Sequence, residues 1–202
     1  MMNSTSPHLT PERLLSRYRD GYFPMADETG RITWHNPRHR AVFDINTYQP
    51  KKSLRSSLNA ANYTVKINEN FEAVINECSK PRDAFDGQWL TQSMISAYIG
   101  LHHLGFAHSV EIYKENTLIG GLYGVQLGGV FFGESMFSHA SNASKIAFHH
   151  LVLILRANDF MLLDSQYLND HTEMLGAIEI PQELFLTQLR KNSVLTRQFT
   201  LE

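Results

Sequence analysis

Two acids and an amide stand out in the stretch from Gly120 to Gln166. Glu134 follows Val130, Phe131, Phe132 and Gly133, while Asp164 and Gln166 follow Phe160, Met161, Leu162 and Leu163. An acid at the end of an apolar strand must be paired, protonated or used, because a bare buried carboxylate is very costly. Either acid alone could merely cap its strand or pair with an Arg, and structural ion pairs imitate sites. Two of them, with an amide beside one, tilt the reading towards a site, where a poorly solvated carboxylate attracts a cation more strongly than an exposed one. Other chemistries are weakly signalled. The ten histidines include the pairs His102-His103 and His149-His150, but adjacent helical residues share no face and nothing stands at zinc-ligand spacing to them, so no metal is expected. Ser135 lies in Gly133-Glu134-Ser135-Met136, which is not the Gly-x-Ser-x-Gly elbow of a serine hydrolase. The single Cys78 shares helical spacing with Phe71, Val74 and Ile75 and reads as a small buried hydrophobe.

The elements that must position these groups follow from period and punctuation. Thr10-Pro11-Glu12 starts a helix with Thr as N-cap and Pro at the first position; it stops near Asp20-Gly21, and Tyr22 to Met25 reads as a turn-like stretch. Ile32 to Trp34 and Ala41 to Phe43 are short strands around the basic loop Asn36 to Arg40. Residues 51–60 form a polar helix or loop, Tyr63 to Ile67 alternates as a strand, and Phe71 to Cys78 is helical. Residues 79–88 read as a linker. Thr91 caps a helix that Gly105 ends. His108 to Tyr113, Thr117 to Val125 and Val130 to Met136 form antiparallel hairpins through Lys114-Glu115-Asn116 and Gly128-Gly129. Asn142 to Ala157 is a helix, Phe160 to Asp164 a buried strand, and Asp170 to Glu173 a short helix. Ile180-Pro181-Gln182-Glu183 opens the last helix, and the tail from Lys191 is expected to be loosely held.

The 202 residues, 43% of them hydrophobic, suit one large or two small domains with a full core. No window approaches the roughly 18 apolar residues of a membrane span. The opening MMNSTSPHLTPERLL has neither the basic nor the apolar region of a signal peptide. With one cysteine, this fits a reducing cytoplasm. Residues 1–60 carry nine Lys or Arg against five acids, and the remainder nine against fifteen. A basic end beside an acidic one suggests one anionic and one cationic partner, although chance clustering on a solvated surface gives the same count.

The second half thus runs helix, antiparallel hairpins, helix, strand, helix, the order of an acyltransferase fold of the GNAT kind, whose two central strands splay to open an acyl slot. Acetyl-CoA enzymes of that fold need a Gln/Arg-x-x-Gly-x-Gly/Ala loop at a helix N-terminus. The nearest match, Gln126-Leu127-Gly128-Gly129-Val130-Phe131, ends in Phe and precedes a strand. The acyl donor should be something other than CoA.

The chain resembles the leucyl/phenylalanyl-tRNA–protein transferases. The similar stretches are Pro11 to Pro24, Thr33 to Val42, Trp89-Leu90-Thr91, Leu101 to Ile112, Ile119 to Ser144 with GGLYGV, FFGESMFS and NASK, Leu163 to Gln166, Asn169 to Thr172, and Leu175 to Ala177 with Glu179-Ile180-Pro181. They run in order from about residue 10 to 190, and the ordered set is more specific than any single motif. Two departures stand out: Met25 occupies a position where many members have Trp, and the family's N-terminal lead-in with its Gly-Gly-Asp is almost absent, so the N-terminal subdomain is expected to be small.

The resemblance implies transfer of Leu or Phe, and also Met, from aminoacyl-tRNA to the α-amine of a protein that begins with Arg or Lys, which marks that protein for degradation by the N-degron route. It implies no cofactor, since aminoacyl-tRNA is a co-substrate. The catalytic pair falls on Asp164 and Gln166, with Glu134 meeting the cationic N-terminal residue. A neutral Gln is a poor base, so Gln166 is expected to orient the amine, with Asp164 anchoring it and supplying negative potential. The apolar slot would fall to Leu122, Phe131, Phe148, Leu151 and Leu163, each of which taken alone reads as plain core. Tyr18, Met25, Trp89 and Asn169 match positions that handle the 3′-terminal adenosine, and Arg38, Arg40, Lys51 and Lys52 would form the tRNA-facing basic patch. The expected architecture is α+β: a small N-terminal α/β subdomain (1–60), a connecting strand, helix and linker (61–88), and a GNAT-like catalytic domain (89–202), acting in the cytoplasm as a monomer. The rivals are a GNAT-fold acyltransferase with another acceptor, such as a cell-wall peptide, or one using acetyl-CoA, and an RNA-binding module without chemistry.

Overall fold

The computed structural model describes residues 9–60, 62–81 and 90–201. Helix α1 (Pro11–Arg19) begins as its sequence dictates: Thr10 Oγ1 accepts from the Arg13 N–H and Pro11 takes the first turn. It buries Leu14, Leu15 and Tyr18. Strands β1 (Phe23–Ala26) and β2 (Ile32–His35) then form a two-stranded antiparallel sheet. A strand replaces the turn expected at Tyr22 to Met25. The turn chemistry lies further on, where Asp27 Oδ1 accepts from the N–H groups of Thr29 and Arg31 and Gly30 supplies a φ of +77°. Pro24 is tolerated because both strands of a two-stranded sheet are edges.

The chain continues through β3 (His39–Phe43), α2 (Lys52–Asn59), β4 (Thr64–Ile67), α3 (Phe71–Cys78), α4 (Gln92–His103), β5 (Ala107–Lys114), β6 (Thr117–Leu127), β7 (Val130–Ser138), α5 (Ala143–Ala157), β8 (Leu162–Asp164), α6 (Asp170–Leu175), β9 (Ile178–Pro181) and α7 (Gln182–Asn192). Seven of these strands make one mixed sheet, in the order β4-β5-β6-β7-β8-β3-β9. Its two faces bury separate cores. Tyr123, Val125 and Phe132 face α1, α3 and α4, and Leu122 and Phe131 face α5. The α+β class is as expected, and the alternation along β6 and β7 sets which side chain meets which helix layer.

At the C-terminus the last helix opens within Ile180 to Glu183 as expected, with Pro181 as N-cap and α7 starting at Gln182; the residues just before it, Ile178–Pro181, form an edge strand on β3. The tail, in contrast, is not loose. Phe199 is buried, with its ring 4.6 Å from that of His108 and 5.3 Å from that of Phe131. The Gln126 side chain donates to Arg197 O, and that of Asn158 to Thr200 O. A lone aromatic in a polar tail has no period by which to announce this docking. Of the linker expected at 79–88, residues 82–88 lie outside the described residues.

The site depends on the parallel pair in the sheet. β7 and β8 pair at Val130↔Leu162, Phe131↔Leu163 and Phe132↔Asp164, and there β8 ends. β7 runs on to Ser138 paired only with β6. The chain after β8 stays with β3 instead, where the Ser165 N–H donates to Ala41 O and Gln166 O accepts from the Ala41 N–H. The sheet therefore opens beyond Phe132.

Candidate active site

Glu134 stands where that opening begins. On β6, Tyr123 and Gly124 are consecutive, but they pair with Ser135 and Gly133, so Glu134 is the extra residue of a bulge. A bulge interrupts the ladder and re-aims its side chains. Gly124 makes this possible, since a Cβ there would meet Phe132 O at 2.3 Å and the Phe131 ring at 2.4 Å. The carboxylate accepts from Tyr98 Oη at 3.0 Å and from Gln166 Nε2 at 3.2 Å. Tyr98 Oη lies 2.8 Å from Tyr18 Oη; with its own proton on Glu134, it accepts that of Tyr18. Glu134 keeps some exposure through the opening, yet burial pushes its pKa up from 4.5 to about 7. The tyrosine hydrogen bonds pull it the other way; Asp164 adds to the rise and Arg40 offsets it. Burial also raises both tyrosines, and the neighbouring Glu134 charge adds to it.

Asp164 lives under different terms. It is fully buried and takes a two-pronged pair from Arg40, with Nε to Oδ1 and Nη2 to Oδ2 both 2.7 Å long. Arg40 is fully buried as well; its Nη1 donates to Gly21 O, and its guanidinium lies 4.6 Å from the Phe23 ring centre and 4.4 Å from that of Phe185. This corrects one expectation and qualifies another. Arg40 does not belong to an exposed basic patch, because it is fully buried on an interior strand. Asp164 supplies negative potential, since it adds to the rise at Glu134, but Arg40 offsets it. Asp164 does anchor Gln166, through the backbone: Oδ1 accepts the Gln166 N–H at 3.1 Å. Gln166 has φ +60°, a left-handed conformation uncommon for a side-chain-bearing residue. Asp164 and Ala41 hold it there, and its Nε2 reaches Glu134.

Two cavities meet at these groups. One, of about 280 Å³, is lined by Leu122, Phe148, Leu151 and Leu163 from the expected slot, and by Phe43, Met136 and Leu175 besides. Phe131 is not among its walls; packed against Gly124 and Phe199, it is core. The other, of about 220 Å³, is lined by Phe23, Met25 and Tyr167. Glu134, Ser135, Ser165, Gln166 and Asn169 border both. Asn169 also caps α6, its Oδ1 accepting from the Thr172 N–H. Tyr18 is fully buried beneath Glu134 and presents no ring for stacking; Trp89 lies outside the described residues. Arg38, Lys51 and Lys52 are exposed. Sequence reasoning missed Arg40, Tyr98 and Phe43 in these roles. The signal for Arg40 was its place directly before the apolar run Ala41-Val42-Phe43; Tyr98 gave none beyond its place on an apolar helix face. Among the described residues no three His, Cys, Asp or Glu side chains are grouped to hold a metal ion, and no helix is long and apolar enough to cross a membrane.

Comparison with known proteins gives a consistent result. The family model "Leucyl/phenylalanyl-tRNA protein transferase" matches residues 42–190, and that of the family's N-terminal domain matches residues 8–38. A leucyl/phenylalanyl-tRNA–protein transferase of Chlorobaculum tepidum is 47% identical over 181 residues, 89% of this chain and 93% of that protein. One of Zymomonas mobilis is 42% identical over 202 residues, 99% of this chain and 73% of that protein. Among solved structures, L-PGS from Bacillus licheniformis covers 91% of this chain and 70% of its own at 11% identity and a TM-score of 0.47, a likeness that carries no argument.

Proposed function

Since the chain belongs to the leucyl/phenylalanyl-tRNA–protein transferase family, we propose that it moves Leu or Phe, and also Met, from aminoacyl-tRNA to the α-amine of proteins beginning with Arg or Lys. The observation that carries this reading is the Glu134–Gln166 contact at the junction of an apolar and a more polar cavity. Transfer needs such a junction, because a hydrophobic side chain, an ester carbonyl, a ribose and an incoming amine must converge there.

The apolar cavity takes the donor side chain. The second cavity takes the terminal adenosine beside Met25, Tyr167 and Asn169, and Arg38, Lys51 and Lys52 face the tRNA phosphates. The aminoacyl ester is already activated, so transfer to an amine runs downhill without ATP, and the main task is to hold both substrates together. Gln166 has given its Nε2 to Glu134, which leaves its carbonyl oxygen to orient the amine. Glu134, with one partner on each oxygen, keeps lone pairs for a guanidinium or ammonium. Its pKa of about 7 also lies close to that of a peptide α-amine, roughly 8, so a proton can pass between them at little cost. The released ribose oxygen takes the proton in the end.

Mass spectrometry of a peptide beginning with Arg, incubated with Leu-tRNA or with acetyl-CoA, tests the reading. The expected product carries one added leucine, formed with Leu-tRNA alone. Acetylation, or no leucine transfer, would overturn it.

A further inference from the structure

β7 carries one more polar group at the junction, unused so far. Ser135 Oγ is shut away from water and has no hydrogen-bond partner among the described residues. A hydroxyl in that state has lost its hydration and gained nothing inside the fold, so it lowers stability. Such orphans are few in native proteins and call for an explanation. Ser135 follows Glu134 directly in the bulge and, with Glu134, Ser165, Gln166 and Asn169, borders both cavities, so it stands on the wall where the two meet.

The reaction assigned above needs a donor there. As the amine nitrogen's lone pair adds to the ester carbon, the carbonyl π pair moves onto oxygen. That oxyanion then collapses, re-forming the carbonyl and expelling the ribose oxygen, which leaves with the proton the amine gives up. Ionised Glu134 can only accept hydrogen bonds. Asp164 is sealed by Arg40, and one Gln166 amide hydrogen is held on Glu134. The Ser135 hydroxyl rotates freely and carries one uncommitted proton. We propose that Ser135 is a catalytic residue that donates its hydroxyl hydrogen to the aminoacyl carbonyl oxygen as it becomes an oxyanion. The inference rests on the transferase reading. It also explains the orphan: the partner arrives with the substrate, and a donor placed in advance favours the transition state over the ground state.

The test is steady-state transfer of Leu from Leu-tRNA to an Arg-initiated peptide, read beside a melting curve, for wild type, Ser135→Ala and Ser135→Thr. Ser135→Ala is expected to lower kcat about 10²-fold with KM for Leu-tRNA unchanged and a melting temperature no lower than wild type, because no internal bond is lost. Ser135→Thr, which keeps the hydroxyl, is expected to recover kcat to within about tenfold of wild type. An Ala variant as fast as wild type overturns the proposal. So does a rise in KM at constant kcat, which would make Ser135 a ground-state contact, a fall in melting temperature that accounts for the lost activity, or a Thr variant as slow as Ala. A wild-type protein that transfers no leucine defeats the transferase reading itself, which separates the two failures.

Discussion

The surroundings of Asp164 and Glu134 make two regions adjacent across the β7–β8 pairing and opposite in design. Asp164 ends β8, pairs in register with Phe132, and meets a guanidinium that is itself fully buried and flanked by two phenyl rings. Glu134 lies two residues past Phe132 on β7, and it accepts hydrogen bonds from neutral groups, a tyrosine and an amide. In the first region charge is offset where it stands, and the acid becomes a strut that fixes β3, β8 and the turn at Gln166. In the second the acid is dehydrated without a cation of its own and still faces a cavity, so its charge is available to whatever enters. Burial alone therefore does not separate structural from functional acids; the identity of the partners does.

The largest effect should come from breaking the first region. Arg40→Leu removes one partner of a fully buried pair and strands the other, which costs about 3–5 kcal/mol. Arg40→Lys should recover little, since a point charge cannot reproduce the two-pronged geometry. Chemical denaturation measures this, and a stability within 1 kcal/mol of wild type would end the view of Asp164 as a strut.

Next comes Glu134→Gln, which should leave the fold intact while lowering kcat/KM for Arg- and Lys-initiated peptides by roughly 2–5 kcal/mol of transition-state binding, and much less for an Ala-initiated one. Equal losses on all three peptides would place Glu134 in the class of Asp164. The same pair of proteins carries a pH signature. The folded-state pKa of Glu134 is raised from 4.5 to about 7, so between those values the folded protein holds a proton that the unfolded chain has released. Wild type should therefore lose stability relative to Glu134→Gln as pH climbs from about 4.5 to about 7, with no further change above. A difference that stays flat across that window would mean the carboxylate is not dehydrated.

The smallest effect concerns the cavity that Glu134 borders. Leu122→Trp should shift the choice between Phe and Leu donors by roughly 1–3 kcal/mol in favour of Leu. Competition between the two charged tRNAs reads it out, and an unchanged ratio would return Leu122 to ordinary core.

Much of this arrangement was legible before any coordinates. The caps at Thr10 and Thr91 act as their side-chain chemistry dictates, the period-2 runs of β5 to β7 are strands, and an acid after three bulky residues stands at the cavity mouth. What escaped were facts of direction and distance. Counting basic residues cannot tell Arg40, turned inward on an interior strand, from Lys51 and Lys52 on the surface. No local pattern links Tyr18 to Tyr98, eighty residues apart, and once they meet beneath Glu134 the ring of Tyr18 is lost to any ligand. Phe131 and Phe132 are both apolar and both buried, and only the register of β7 says which helix layer each one meets. Phe199 is a single aromatic with no repeat around it.

The bulge at Glu134 can also be read as an accident of counting. Between two neighbouring residues of β6, β7 supplies one residue too many, and that surplus residue is the acid. Shorten β7 by one residue at this point and the ladder closes into unbroken pairing, a tidier sheet with no carboxylate left over at the junction of the two cavities. That acid is thus housed in a miscount of one, the span of a single codon, which a strand tolerates because the residue opposite has no side chain to object.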